Sequence, residues 1–284
     1  MLRILSVILM LLLSGALKAH EFLAGIDAEW HLEPGPLKCR LWQGIPQYGM
    51  AIFEIDSGSY INFYLESDRV ATAAGSGKLE IRAPFWRPGP DPVPVTELKT
   101  RAGKHPVLVN RQHTDRIVDE LVAGMMPTFV INGWTKDHEI EVGVSPVNFQ
   151  EAYNGFASCL ATLYPVNYQQ IASSHLLFGL NKYGLSQEAR DRLDLIAGYV
   201  LVDPEVRKIA VHGHASQEGR RGHNWELSRL RAKEVKDYLV SKGVDPERIV
   251  TNYYGETRPR NKGATPAERA LNRRVYVSVK KPRY

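Results

Sequence analysis

Arg231 occupies the position in this chain that most demands a chemical explanation. Between Asn224 and Lys242, the apolar residues Leu227, Leu230, Val235, Tyr238 and Leu239 fall on one side of a helical wheel, and Arg231 projects from the middle of that arc. A guanidinium carried into such surroundings needs an anionic partner, because desolvating an unpaired charge is expensive. Its planar fork suits a carboxylate held through two hydrogen bonds. The partner is either an internal Asp or Glu, which would make Arg231 structural, or a ligand. A second chemistry lies close by. His212 and His214, spaced by two on a strand, project to one face, and with His223 they could form a three-nitrogen zinc site with an open position for water. Glu218 or Glu226 would then serve as base in an exported hydrolase. Histidines at strand ends more often pack or hydrogen-bond, so no metal and no other cofactor is expected.

The elements that must position these residues alternate regularly. His175 to Asn181 reads as a short strand, and Ser186 as the N-cap of a helix whose buried stripe is Ala189, Leu193, Ile196, Ala197 and Val200. Lys208 to His214 is the next strand. The Arg231 helix follows, with Asn224 as its expected N-cap and Gly243 as a C′ residue. Ile249 to Tyr254 is a third strand, Thr265-Pro-Ala-Glu268 a capping box with proline at the first helical position, and Val275, Val277 and Val279 alternate along a last strand. The order βαβαβαβ implies an α/β sandwich with helices covering a mixed sheet. In it the loop from His214 to His223 and the first turn of the Arg231 helix present backbone donors to an anion.

The first half reads as mostly β. Phe53 to Ile55 and Tyr60 to Leu65 flank Asp56-Ser-Gly-Ser59 as a hairpin, and further strands are expected at Lys78 to Ala83, Thr128 to Ile131 and Glu139 to Val144. Arg87 to Pro94 is a proline-rich loop that cannot join a central sheet. One helix, Asp115 to Ala123, interrupts around seven strands, which suggests a barrel or a sandwich. The chain as a whole is thus expected to be α+β in two domains. No catalytic constellation emerges: His105, His113 and His138 are scattered and no nucleophile signature accompanies them. The aromatics Trp42, Tyr48, Phe85, Trp86 and Trp134 are either core or docking anchors.

Arg3, the apolar run Ile4 to Leu13 and the small residues Ser14 to Ala19 form a signal peptide over residues 1–19, so the mature chain should be exported and begin near His20. Its two cysteines, Cys39 and Cys159, are an even number for an oxidising compartment and are expected to pair; two buried free thiols are the alternative. Charge divides the chain. Residues 20–163 carry a net −6 and residues 164–284 a net +9, which with Arg3 and Lys18 gives the overall +5. The two spans, taken as domains, should therefore have different partners. Export favours an anionic cell-wall polymer over nucleic acid for the basic one.

Val211-His-Gly-His214, Asn224-Trp-Glu-Leu-Ser-Arg-Leu-Arg-Ala232, Gly255-Glu256 and Asn272-Arg-Arg-Val275 come in the order of the OmpA-like peptidoglycan-binding domain, which the last 120 or so residues resemble. The resemblance implies that Arg231 binds the free carboxylate of diaminopimelate in the peptidoglycan stem peptide. It also implies a surrounding site from Asn224, Leu227, Asn272, Arg273 and position 216. There the family places an aspartate that receives the ligand's ammonium group, preceded by threonine. This chain has Ala215 and Ser216 instead, and Glu218, two residues on, is the candidate to supply the missing charge. Asn272 and Arg273 have an equal claim to a structural role, bridging a helix end to a strand. In the first half, Cys39-Arg-Leu41, Ile45-Pro-Gln-Tyr-Gly49, Phe53-Glu54, Gly124-Met-Met-Pro-Thr-Phe129 and Gly133-Trp134 make the mature chain similar to the MotY family, the T-ring proteins of sodium-type flagellar motors. That resemblance implies a non-catalytic periplasmic protein. Its first domain would associate with basal-body ring proteins and its second would hold the wall, in a ring assembly that supports the stator complex. A general OmpA-like tether for another envelope complex is the alternative.

Overall fold

A computed structural model describes residues 20–69, 74–134 and 138–282; the signal segment expected over residues 1–19 lies outside the described residues. No helix among the described residues is long and apolar enough to cross a membrane. The chain divides into two compact units, one drawn from the ranges 1–31, 41–53 and 62–153, the other from 32–40, 54–61 and 154–284.

The first part of the chain runs β1 (His20–Leu23), β2 (Trp30–Glu33), β3 (Lys38–Ile45), β4 (Gly49–Asp56), β5 (Asn62–Ser67), β6 (Gly75–Arg82), β7 (Val93–Thr100), β8 (Val107–Val109), α1 (Arg111–Val122), β9 (Met126–Asn132), β10 (Glu139–Gly143) and α2 (Phe149–Thr162). These strands form two open five-stranded sheets, ordered β1-β10-β9-β6-β7 and β2-β3-β4-β5-β8, so the barrel alternative is set aside. Phe63 of one sheet stacks on Phe129 of the other, with ring centroids 5.5 Å apart, and Phe53 meets Phe63 edge-on. The predicted hairpin is β4 and β5. There are more elements than the sequence reading expected, ten strands and a second helix, α2, among the described residues. Val93 and Pro94, assigned to a loop, begin β7, which lies at a sheet edge where a missing N–H is tolerated. α1 starts four residues earlier than expected, with the Asn110 side chain accepting from the His113 N–H as its cap.

The second part continues with α3 (Tyr168–Ile171), β11 (Ser173–Leu177), α4 (Gln187–Val202), β12 (Lys208–Gly213), α5 (Arg221–Ser241), β13 (Ile249–Tyr253), α6 (Pro266–Asn272) and β14 (Arg274–Lys280). Its sheet is mixed, in the order β11-β14-β12-β13, with only β12 and β13 parallel. Leu176, Ile209, Val211, Ile249, Val275, Val277 and Val279 point from one sheet face into a core shared with Leu193, Ile196 and Val200 of α4 and Ala232, Val235 and Leu239 of α5. At the end of β12 the backbone of Gly213 touches α5 so closely that a Cβ there would lie 2.1 Å from the Ser228 carbonyl oxygen. Glycine therefore sets the distance between the strand end and the helix that carries Arg231.

Most of the expected caps are present. Ser186 accepts from the Ala189 N–H, Thr265 and Glu268 form a reciprocal capping box, and Gly243 has a left-handed φ of +94° after α5. Two boundaries differ. β11 ends at Leu177 rather than continuing to Asn181, and α5 begins one turn before Asn224, with Arg220 as an N-cap that makes no side-chain bond. Cys39 and Cys159 form a disulfide with Cα atoms 6.2 Å apart, and both belong to the compact unit that holds the C-terminal half.

Candidate functional site

α5 delivers Arg231 to a fully buried position beneath the turn that follows β11. Its partners are not carboxylates. Nε donates to the carbonyl of Lys182 at 2.9 Å, Nη1 to that of His214 at 3.0 Å and Nη2 to that of Gly179 at 3.0 Å, while the guanidinium lies 5.3 Å from the Phe178 ring centroid. The internal salt bridge weighed from sequence is thus not formed; backbone carbonyls take its place. A guanidinium has five N–H donors, so one on each Nη stays uncommitted. Desolvation by burial, helped by the neighbouring charge of Arg273, pushes the Arg231 pKa down to about 10, and the group stays cationic at neutral pH.

The loop after β12 brings three of the expected residues together. Ser216, buried, donates its hydroxyl to Glu218 at 3.0 Å, and the Glu218 carboxylate also meets Arg269 Nε at 3.1 Å and Arg273 Nη1 at 3.4 Å. Position 216 thus has a carboxylate beside it, supplied from two residues away. Arg273 also donates Nε to the Phe178 carbonyl, so it and Arg231 grip the same turn, residues 178–182.

The remaining candidates are structural. Asn224 is buried inside the first turn of α5, not at its cap, and its amide donates to Glu256. Leu227 is buried on the same helix, and Ser228 beside it receives the Gly255 N–H. Asn272 takes the N–H groups of Arg260 and Asn261 on its amide oxygen and returns a bond to the Asn261 carbonyl, fixing that loop. Sequence reasoning missed Arg269, whose place opposite Glu218 depends on where α6 lands. It also missed the Gly179 and Lys182 carbonyls, which have no signature in residue types.

The zinc arrangement is not assembled. His223 hydrogen-bonds Asn181, His212 pairs through Nδ1 with the Tyr254 hydroxyl, and no cluster of metal-binding type occurs among the described residues. His214 is instead a buried neutral histidine. Desolvation, followed by the charges of Arg274 and His212, pushes its pKa from an ordinary 6.5 down to about 4. The unfolded chain therefore binds a proton at a pH where the folded chain does not. The stability this histidine contributes is complete above about pH 6.5 and lost as pH falls toward 4. Urea midpoints measured across that range should fall for the native chain, and less steeply for His214→Gln; parallel profiles would contradict the assignment.

The four-stranded mixed sheet, with two helices on one face and a basic pocket at the β12–α5 loop, defines a domain class: residues 177–273 match the OmpA family. Residues 22–165 match the MotY N-terminal domain. The chain belongs to the MotY family. The sodium-type flagellar protein MotY of Vibrio parahaemolyticus is 31% identical over 257 residues, covering 89% of this chain and 87% of that protein. The peptidoglycan-associated lipoprotein of Haemophilus influenzae is 33% identical over 134 residues, 47% of this chain and 86% of that one. The solved structure of the Burkholderia pseudomallei peptidoglycan-associated lipoprotein covers 37% of this chain and 89% of its own, with 24% identity and a TM-score of 0.36.

Proposed function

We propose that this flagellar motor protein is a non-catalytic periplasmic anchor. Its C-terminal domain grips peptidoglycan and its N-terminal domain docks on the basal-body ring proteins, giving stator units a fixed ring on which to assemble. The observation that carries the reading is Arg231: a buried cation without a carboxylate partner, at the motif position of an OmpA-family domain, in a chain of the MotY family. A stem-peptide carboxylate would take the uncommitted N–H on each Nη, which requires the turn at residues 178–182 to move aside. Glu218, next to Ser216, would receive the ammonium group of diaminopimelate in place of the absent aspartate.

The test uses the full mature chain and isolated sacculi. Cosedimentation should saturate and be competed by a diaminopimelate-containing stem peptide, and Glu218→Gln should weaken it by roughly tenfold, the loss of one charge-assisted contact. Binding that the stem peptide does not compete would overturn the site. A deletion strain addresses the wider role: assembled but paralysed flagella are expected, whereas normal swimming with envelope leakage would point to a general tether.

A further inference from the structure

The C-terminal sheet has a second face. Opposite the helices, neighbouring strands align Leu177 with Arg274, then His175 with Tyr276, His212 and Asn252, then Ser173 with Ser278, Ala210 and Val250, and last Lys280 with Lys208. The four strands contain no Asp or Glu. Arg258 and Arg260, both exposed, add charge from the loop after β13, and Arg258 lies 4.1 Å over the Tyr254 ring. The carboxylate of that loop, Glu256, is held by Asn224 of α5. Buried Arg274 gives one N–H to the Arg258 carbonyl and leaves Nε and Nη1 without a partner, and Nδ1 of His214 also lacks one. Nothing on the four strands neutralises the positive field that emerges here.

The rings narrow the choice of occupant. His175 packs on Tyr276, Tyr276 on His212 and His212 on Tyr254, with centroids 5.0, 5.9 and 5.8 Å apart and planes within 32° of one another. Their π faces are turned to each other, so a nucleobase or sugar finds no free ring face to stack on. Their edges, which carry hydroxyls and ring nitrogens, remain for hydrogen bonding. Leu177 is the one long apolar side chain on these rows, too little to anchor in a lipid interface, which takes a continuous apolar face. A rigid, flat, cationic platform with hydrogen-bonding ring edges matches a carboxylate-rich polypeptide.

We propose that this sheet face is a docking surface for an acidic segment of a partner protein. The surface is distinct from the Arg231 cluster, and the proposal stands whether or not that cluster binds the wall. A chain holding peptidoglycan would thereby keep a second, electrostatic surface for a neighbour.

The probe is short poly-L-glutamate, titrated calorimetrically into the full mature chain at low salt. Arg258→Gln with Arg260→Gln should weaken binding about tenfold or more and flatten its salt dependence. Lys233→Gln with Lys236→Gln on α5 removes the same formal charge away from the face and should change binding less than about twofold. Both arginines are exposed and use backbone atoms for their loop contacts, so the melting temperature should not move. Equal losses in the two double variants would show attraction to net charge alone and overturn the proposal. Phosphatidylglycerol vesicles provide the other arm: if they bind and the Arg258/Arg260 variant abolishes that binding while poly-glutamate binding is unchanged, the surface is a lipid site and the protein-partner assignment fails.

Discussion

Either Cys39→Ser or Cys159→Ser is expected to lower stability by about 3–5 kcal/mol, because the bond closes a loop long enough for the chain-entropy model to give its upper values. The two cysteines are 120 residues apart in sequence, and both are buried in one compact unit. Their thiols would therefore be left in place if the bond were cut, and the loss comes chiefly from a freer unfolded chain. Urea midpoints of both single variants and of the double variant should fall together, since each removes the same cross-link. Periplasmic abundance should fall with them through proteolysis of the unfolded fraction. A double variant that unfolds at the native midpoint would contradict this.

Arg231→Met should cost about 3 kcal/mol, since it strands three carbonyl oxygens that now share one guanidinium. In a chain of this size that corresponds to a fall in melting temperature of roughly 6–12 °C. Arg231→Lys keeps the charge but loses the fork, and a single ammonium at the end of a flexible stem cannot meet three fixed acceptors from the same position. It should melt early as well. The informative comparison is at a temperature where Arg231→Lys is fully folded: wall binding should still be weaker by about 1.5–3 kcal/mol, the range for hydrogen bonds to charged groups. Normal binding by a folded Arg231→Lys would make this arginine purely structural. The wall contact would then have to be sought around Ser216 to Arg221 or Arg273.

What could be read from the sequence was local. Ser186, Thr265 with Glu268, and Gly243 act on backbone groups within four residues, so their types announce their roles. Asn224 looked like the same kind of signal and was not, because its side chain bonds Glu256 across 32 residues and α5 starts a turn earlier without a side-chain cap. α2 has Phe149, Tyr153, Phe156 and Leu160 at helical spacing, but Asn154-Gly155 in its middle reads as a turn. β1 depends on pairing with β10 more than a hundred residues later, a contact that no local pattern encodes. The apolar arc correctly placed Arg231 indoors; its carbonyl partners belong to a turn whose path depends on the tertiary fold. Glu218 was identifiable as the substitute carboxylate, while its grip by Arg269 and Arg273 was not.

The disulfide also changes what the two ends of the chain feel under load. A protein that holds a wall with its C-terminal part and another structure with its N-terminal part is pulled from both sides, and tension follows the covalent backbone. Here it can pass from residue 39 to residue 159 through sulfur, so the stretch between them hangs as a closed side loop off the stressed line. The strands β4 to β10 and helix α1 lie wholly inside that loop. A single protease cut within it would leave one molecule rather than two, still able to carry force from end to end until the bond is reduced.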